Sequence, residues 1–344
     1  MKEGGSAHFW RGRRVLITGV GGFVGTHLAH RLCELGAAVV GVLRDSRGEH
    51  RLRLFGLLEK VDLVRGSIDD YALMERVFAE YEVEHCFHLA AQTIVGVANG
   101  SPVSTFESNI RGTWTVLEAA RHSRHVRGLA IASSDKVYGD QDALPYRETS
   151  PLLAVYPYDV SKLCAEALAR SYCLSFGLPV GIARCANIYG GGDFAWSRIV
   201  PGTIRSMLLN EAPVIRSDGT LQRDYLYVSD AVEAYLLLAQ NLDRDEVRGQ
   251  AFNFGWQRPY SVLEIVETVL REGGSPLHPR ILGQGQGEIS RQWLDSAKAR
   301  QLLDWRPRVG LEEGIRRSIA WYRAYLLDED GGTRQVQTAA QQRR

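Results

Sequence analysis

Five side chains suited to proton transfer occur in two short stretches of the sequence. Ser134, Asp135 and Lys136 directly follow the apolar segment GLAIAS, and Tyr158 and Lys162 are four residues apart in YPYDVSKLCAEALARSY. The second spacing puts a phenol and an ammonium group on one face of a helix. Because a neighbouring cation favours the ionised phenol, the pair predicts that Tyr158 serves as a base near neutral pH. The alternative is a surface aromatic–cation pair.

A regular framework must hold these residues, and the hydrophobic pattern predicts one. From Arg14 to about residue 190, short apolar runs such as VLIT and AVVGVL alternate with helix-length amphipathic segments. Repeated units of this kind form an α/β fold, a doubly wound parallel sheet with helices on both faces. We predict this sheet domain at 13–190 and a smaller α/β domain, mainly for substrate binding, at 191–328. Residues 1–12 and 329–344 are polar, which predicts flexible tails.

A glycine-rich turn follows the first predicted strand. In RVLITGVGGFVGTHLAHRL, Gly19, Gly22 and Gly25 recur every three residues, and Phe23 and Val24 open the next predicted helix. A turn without side chains lets a pyrophosphate reach the backbone amides at a helix N-terminus, where the helix dipole favours negative charge. The sequence therefore predicts a dinucleotide site; the alternative is a tight turn needed only for close packing.

Two charged residues end the second predicted strand. Asp45 lies twenty residues beyond Gly25, where a carboxylate can bind the adenosine ribose of NAD. Arg44 beside it suits the 2′-phosphate of NADP. We predict NAD, with NADP less favoured and an ordinary loop carboxylate at Asp45 as a further alternative.

Four segments end predicted parallel strands and therefore lie at one edge of the sheet, where ligands bind in open α/β folds. We expect one cleft there, with the cofactor contacting Leu89, Ala90, Ala91 and Ser133, while His88 is expected to be a core residue. The segments are Gly19–Gly25, His88–Ala91, Ser133–Lys136 and Cys185–Tyr189.

The composition excludes several other classes of function. The chain has 344 residues, 45% of them hydrophobic, and a net charge of +1. Such a balance creates no broad field for nucleic acid or an anionic membrane. We find no signal peptide or membrane span, so we expect a cytoplasmic protein. The five cysteines are scattered without metal-ligand spacing, so we predict no metal site.

Taken together, these motifs resemble the extended short-chain dehydrogenase/reductases that act on nucleotide sugars. The similarity rests on Thr18-Gly19-x-x-Gly22-x-x-Gly25, FHLAAQ, Ser134 with Tyr158-x-x-x-Lys162, RCANIYG and RDYLYVSD. It implies a Rossmann-type fold and NAD. By this resemblance, Ser134 hydrogen-bonds a sugar hydroxyl, Tyr158 takes its proton, and Lys162 holds the nicotinamide ribose and lowers the pKa of the tyrosine.

Oxidation of a sugar hydroxyl requires only the serine, the tyrosine and Lys162, so it gives no role to Asp135 and Lys136. Dehydratases of the family carry an acid and a base at these positions, and in the CDP-glucose 4,6-dehydratase subgroup the pair is Asp-Lys, as here. The resemblance to that subgroup implies a nucleotide-sugar 4,6-dehydratase with Asp135 as the acid and Lys136 as the base or as a cation beside the enolate. The alternatives are a salt-bridged strand end, a 4-epimerase of the same fold, and a non-catalytic dinucleotide-binding protein.

The same resemblance assigns further binding residues. Ser67 and Ile68 in RGSIDD lie where the family meets adenine, with Ser67 replacing the usual aspartate. Arg223 and Arg291 are expected to bind the substrate diphosphate, and Asn187 the sugar or phosphate; each has a surface charge or a strand-end cap as its alternative. The family's usual homodimer, formed through two helices that include the Tyr158 helix, is expected here.

Overall fold

The computed structural model describes residues 3–284 and 289–327. Its strands are β1 Arg14–Thr18, β2 Ala38–Leu43, β3 Val61–Arg65, β4 His85–His88, β5 Gly128–Ala132, β6 Val180–Cys185, β7 Asn187–Tyr189, β8 Val214–Ile215, β9 Gln222–Tyr227, β10 Ala251–Phe254, β11 Pro259–Ser261, β12 Arg280–Ile281 and β13 Arg291–Gln292. Its α-helices are α1 Glu3–Trp10, α2 Phe23–Glu34, α3 Arg47–Leu54, α4 Tyr71–Glu80, α5 Val95–Gly100, α6 Pro102–Phe106, α7 Gly112–His122, α8 Pro157–Phe176, α9 Ile199–Leu208, α10 Val228–Gln240, α11 Val262–Glu272, α12 Ala297–Leu303 and α13 Leu311–Leu326. A π-helical turn, Glu107–Arg111, precedes α7, and a 3-10 turn, Asp135–Tyr138, follows β5.

A seven-stranded sheet with the order β10-β6-β5-β4-β1-β2-β3 forms the larger layer. All six neighbouring pairs are parallel. Alternate residues of β1 face opposite sides: Val15 and Ile17 pack with α2 and α10, whereas Leu16 packs with α4, α7 and α8. Apolar cores on both faces confirm the predicted doubly wound α/β fold.

The smaller layer is built around β9. It pairs antiparallel with β11 and parallel with β7 and β13. Helices α9, α11 and α13 pack together through Ile204, Ile265 and Ile315, which are fully buried. β9 and β13 thereby face the carboxyl edge of the large sheet.

The chain returns to the large sheet after the smaller layer has begun. β10 pairs with β6 at the sheet edge, and α10 packs on β5 and β6. Residue 190 is therefore not a clean division between the two layers. The sequence pattern did not predict a strand from beyond residue 190 beside β6.

The predicted flexible tail at 1–12 is wrong for the part that the structure describes. Residues Glu3–Trp10 form α1, and the Trp10 side chain is completely buried. Its ring lies 5.2 Å from that of His85 and 5.7 Å from that of Phe87, centroid to centroid. A buried indole removes a large apolar area from water and so anchors an otherwise polar segment. The predicted tail at 329–344 lies outside the described residues.

None of the helices within 3–284 and 289–327 combines the length and the apolar character that crossing a bilayer requires.

Candidate functional site

A cleft of about 1090 Å³ runs along the carboxyl ends of β1, β2, β4, β5 and β6 and is bounded on its far side by β7, α9 and β9. Every side chain or glycine that the sequence predicts to meet cofactor or substrate lines this cleft, with the exception of Arg291. The four predicted strand-end segments thus meet in one cavity, while the role of each residue remains a prediction.

The glycine turn fits a pyrophosphate because side chains would fill it. Gly19 has φ of +72°, and a Cβ there would lie 2.9 Å from Cα of Ala90. A Cβ at Gly25 would collide with the carbonyl oxygen of Gly19. The amide of Gly22 donates to that same carbonyl at 2.8 Å, and α2 then begins at Phe23 without a side-chain cap. The first amides of α2 are left for an anion in the cleft.

We expect Gly19→Ala to lower the free energy of unfolding by about 1–3 kcal/mol and to weaken NAD binding, because the methyl group forces Ala90 and the turn apart. Thermal unfolding and titration with NAD would measure the two effects. Gly12→Ala is the matched control, since Gly12 has the same φ of +72° but no atom within 4 Å of its would-be Cβ. Equal losses in the two variants, with unchanged NAD binding, would contradict the proposed cradle.

The opposite end of the cleft has the features expected for an adenosine. Asp45 is partly exposed, and Nε of Arg44 lies 3.6 Å from its Oδ2. Ile68 is 93% buried and packs so closely on Gly112 that a Cβ there would collide with Cδ1 of Ile68. Ser67 lies beside it on the cleft wall. Ile68 therefore gives the cleft a fixed apolar surface on which a purine can pack.

The end of β4 supports the glycine turn through the backbone. The amide of Ala90 donates to Oγ1 of Thr18 at 3.2 Å, which fixes Leu89–Ala91 against β1. His88 is buried, with its ring nitrogens 2.8 Å from Oγ1 of Thr18 and 3.0 Å from Oγ1 of Thr113. Burial lowers the pKa of His88 to about 3, so it is a neutral core histidine, as predicted.

Ser134, Tyr158 and Lys162 converge where β5 ends. The first turns of α8 carry Tyr158 and Lys162 to this edge, and Nζ of Lys162 donates to the carbonyl of Ala132 at 2.7 Å. Burial raises the pKa of Tyr158 to about 12, although a hydrogen bond with Ser134 and the charge of Arg198 act in the opposite direction. Burial also lowers the pKa of Lys162 to about 8. Burial thus sets the direction of the Tyr158 pKa shift, and the groups that oppose it are Ser134 and Arg198 rather than the predicted Lys162.

A buried polar network stands behind these groups. Glu166 accepts two hydrogen bonds from Arg184, at 2.9 and 2.6 Å, and one from the hydroxyl of Ser133. Arg184 also donates to the phenol oxygen of Tyr138 at 2.8 Å. The network ties α8 to β5 and β6. Ser133 lines the cleft as predicted, but its hydroxyl proton is donated to Glu166 rather than held for a cofactor.

Asp135 and Lys136 lie on the 3-10 turn after β5 and have different surroundings. Asp135 is 2% exposed, its Oδ1 accepts from the hydroxyl of Ser134 at 3.1 Å, and its Oδ2 makes no hydrogen bond with the described residues. Burial raises the pKa of Asp135, against the charge of Lys136. Nζ of Lys136 donates to Oε1 of Gln292 at 2.6 Å. The carboxyl group of Asp135, which tends to keep its proton, therefore lies next to the amine of Lys136, whose position is fixed by its hydrogen bond to Gln292.

A second carboxyl group, Asp159, is buried next to Tyr158 on the cleft wall. Burial raises the pKa of Asp159 to about 6, and the charge of Lys136 opposes this shift while that of Asp135 adds to it. Sequence analysis did not single out this residue. An acidic residue is common in the first turn of a helix because it interacts favourably with the helix dipole. The sequence therefore offered no reason to place Asp159 in the cleft.

We expect the raised pKa of Asp159 to make the free energy of unfolding fall as pH rises. The folded chain keeps the Asp159 proton up to a pKa of about 6, whereas an unfolded chain loses it near 3.8. The contribution is therefore complete below pH 3.8 and is lost as the pH passes 6. In urea unfolding, the free energy of unfolding of Asp159→Asn should exceed that of the wild type by about 3 kcal/mol at pH 8 and by little at pH 4. The control is Asp245→Asn, at a carboxylate with 95% exposure; a gain independent of pH at position 159 would refute the assignment.

Of the predicted substrate ligands, Arg223 and Asn187 lie on the cleft and Arg291 does not. Arg223 on β9 is buried and donates to the carbonyl of Gln222 at 2.8 Å, and Nδ2 of Asn187 donates to the carbonyl of Asp224 at 3.2 Å. The structure does not bring Arg291 to the cleft: its side chain is exposed on β13 and outside the cleft lining, and its role as a substrate ligand stays a prediction. Successive strand residues point to opposite faces, so Gln292, not Arg291, faces inward.

Arg198 and Arg216 also line the cleft and were missed. Arg198 immediately precedes α9, and NH1 donates to Oδ2 of Asp193 at 2.9 Å. Arg216 follows the short strand β8. Arg198 lies in the segment GGGDFAWSRIVP, which resembles a segment of the dehydratase subgroup, and this resemblance is the signal that could have identified it. Residue type alone does not distinguish Arg216 from a surface charge.

Comparison with known proteins agrees with this architecture. The model of the NAD dependent epimerase/dehydratase family matches residues 15–255. A CDP-glucose 4,6-dehydratase of Salmonella typhimurium is 32% identical over 94% of this chain and 94% of its own. A UDP-glucose 4-epimerase of Mycolicibacterium smegmatis is 31% identical over 90% and 98% of the two chains. The crystal structure of a UDP-glucose 4-epimerase from Thermotoga maritima superposes with a TM-score of 0.84 and 29% identity, covering 91% of this chain and 99% of that one.

These matches confirm the predicted family, and the family's dependence on NAD confirms the predicted cofactor. The glycine turn, the amides of α2 and the surface of Ile68 are the parts of this chain that would hold it. From its sequence, its fold and the residues of its cleft, this chain belongs to the NAD-dependent epimerase/dehydratase family.

Proposed function

We propose that the chain is a nucleotide-sugar 4,6-dehydratase that converts an NDP-hexose to an NDP-4-keto-6-deoxyhexose. The observation that carries this proposal is Asp135. Its carboxyl group is buried at the reacting end of the cleft, burial raises its pKa, and Oδ2 has no hydrogen-bond partner among the described residues. A carboxyl group held in its protonated form can act as a general acid. Oxidation at one carbon does not need such an acid, whereas loss of water does.

The residues of the chain account for each proton in that reaction. Ser134 and Tyr158 bind the hydroxyl at carbon 4, and Tyr158 takes its proton. NAD, when bound, would supply the hydride acceptor for carbon 4 and, once reduced, the hydride donor for carbon 6. The ketone at carbon 4 makes the hydrogen on carbon 5 acidic, and Lys136 removes it or steadies the resulting negative charge. Asp135 gives its proton to the hydroxyl of carbon 6, which leaves as water. When hydride has reached carbon 6, carbon 5 takes a proton back from Lys136 or from water.

Binding of a nucleotide diphosphate is supported by positive charge on the far wall. Arg198, Arg216 and Arg223 all line the cleft beyond the catalytic residues. Guanidinium groups bind phosphate oxygens with two parallel hydrogen bonds. The relatives named above act on CDP-glucose and UDP-glucose, so we propose an NDP-hexose as substrate for this chain.

A 4-epimerase is the second candidate, favoured by the superposition with the Thermotoga maritima enzyme and by the 31% identical relative. In that reaction the hydride returns to carbon 4 and no water is lost, which leaves the proton of Asp135 without a use. The non-catalytic alternative is a dinucleotide-binding protein.

The homodimer expected from the resemblance remains a prediction. The faces of α7 and α8 that point away from the sheet carry apolar side chains, including Trp114, Leu174 and Phe176, which are 38%, 81% and 56% exposed. A dimer through these helices would cover them.

Incubation with CDP-, UDP-, dTDP- and GDP-hexoses, followed by mass spectrometry, tests the proposal. We expect a product lighter by one water molecule that absorbs in alkali as a 4-keto sugar does. An isomer of unchanged mass would establish epimerisation instead. Failure to convert any of these sugars, with NAD bound, would favour the non-catalytic alternative.

A further inference from the structure

Gln292 is a completely buried residue that contacts both members of the Asp135–Lys136 pair. Its Oε1 accepts a hydrogen bond from Nζ of Lys136 at 2.6 Å, and its Nε2 donates to the backbone carbonyl of Asp135 at 2.7 Å. Both the acceptor and the donor of the side-chain amide are therefore bonded to the same 3-10 turn. Deleting it would leave polar groups of that turn without these partners, which is costly in a buried place.

The contact links the two layers of the molecule. The 3-10 turn with Asp135 and Lys136 belongs to the large sheet, and Gln292 belongs to β13, 156 residues beyond Lys136. In the register of the small sheet Gln292 lies opposite Arg223, which lines the same cleft. The paired strands β9 and β13 therefore support the part of the cleft that contains Asp135 and Lys136, where the sugar is proposed to bind.

We infer that Gln292 is a positioning residue for the dehydration step, acting through Lys136 and the backbone of Asp135. This inference rests on the proposed 4,6-dehydratase function. A neutral amide oxygen fixes the position of the lysine nitrogen without favouring its charged form as strongly as a carboxylate would. Lys136 can then hold one place in the cleft in either protonation state. Within the part of the chain that the structure describes, Gln292 hydrogen-bonds to Lys136 and Asp135 and not to Ser134, Tyr158 or Lys162, so we expect oxidation at carbon 4 not to depend on it.

Gln292→Met tests the inference, since methionine has nearly the same length, no hydrogen-bond donor and only a weakly accepting sulfur. We expect water loss to slow about 10²-fold, the usual scale for a misplaced acid–base group. Oxidation at carbon 4, followed by the absorbance of reduced nicotinamide after mixing with substrate, should keep its wild-type rate. Reduced cofactor should accumulate, because the return of hydride to carbon 6 waits for elimination.

Gln292→Glu tests the inference through the pH–rate profile, which would not change if Gln292 had a purely structural role. The new carboxylate keeps an acceptor for Lys136 and raises its pKa, so the pH–rate profile of water loss should shift to higher pH. The titratable groups that interact with this amine are Asp135 on its own turn and Asp159 on α8, and the charge of Arg223 on β9 acts on Asp135. Gln292→Glu also provides the test if Gln292→Met does not fold.

Ser296→Ala is the matched control. Ser296 is equally buried in the same segment, but its hydroxyl contacts the backbone of Gly255 and not the pair. We expect wild-type rates and pH profile for this variant. Unchanged water loss in Gln292→Met, or equal slowing of oxidation and water loss with no pH shift in Gln292→Glu, would overturn the inference. If the wild-type chain loses no water from any NDP-hexose, the dehydratase proposal itself fails, and this inference with it.

Discussion

Tyr158→Phe is expected to reduce turnover of the nucleotide sugar by about 10²–10⁴-fold while leaving NAD bound. Tyr158, in its ionised form, is the group proposed to take the proton from carbon 4, and it lies beside Ser134 at the buried end of the cleft. Phenylalanine preserves the ring and its packing but offers no oxygen. Steady-state rates with the substrate identified by the sugar panel, and NAD content after gel filtration, would measure the two properties.

Tyr172→Phe is the control for this change. It removes a phenol from the same helix, α8, where the hydroxyl donates to Oε2 of Glu118 at 2.9 Å, outside the cleft. We expect it to keep its activity. A Tyr158→Phe enzyme with wild-type turnover would refute the role of Tyr158 as the base, whatever product the enzyme makes.

Lys136→Met is expected to separate oxidation from dehydration. Without the amine, the carbon-5 proton is not removed or the enolate is not stabilised, so water loss should fall by about 10²–10⁴-fold. Oxidation at carbon 4 uses Ser134, Tyr158 and Lys162 and should continue. Mixing enzyme with substrate should therefore produce reduced nicotinamide absorbance without a product lighter by one water molecule.

Lys298→Met controls for the loss of a partly buried lysine. Its Nζ donates to the carbonyl of Ala251 at 2.9 Å, away from the cleft. Normal dehydration by Lys136→Met would show that Lys136 has no part in the elimination. Loss of both oxidation and dehydration would mean that it supports the whole site rather than one step.

Local sequence patterns were sufficient for the parallel arrangement of the strands before residue 190 and for the cleft at their carboxyl ends. Short apolar runs and a glycine with positive φ are local requirements, so VLIT and Gly19 predicted β1 and the turn after it. The parallel arrangement then follows, and it brings Gly25, Ser134 and Asn187 to one cleft.

Long-range pairing was beyond local patterns. The position of β10 beside β6, and the register that turns Gln292 inward and Arg291 outward, depend on partners far away in the sequence. A shift by one residue exchanges the two faces of a strand. Trp10 was similarly misjudged, because one buried indole outweighs the polar composition of its neighbours. The pKa of Tyr158 depends on burial, which only the folded chain reveals.

The late return of the chain to its large sheet bears on how the protein is made. As the polypeptide leaves the ribosome, β6 has no outer neighbour until residues Ala251–Phe254 have emerged. During that interval it presents an open row of N–H and C=O groups, the kind of edge on which nascent chains aggregate. A polypeptide ended at residue 190 would keep that open edge permanently and would also lack α10, which covers β5 and β6. The large sheet therefore gains its last strand only after β7 and β9 of the smaller layer have been synthesised.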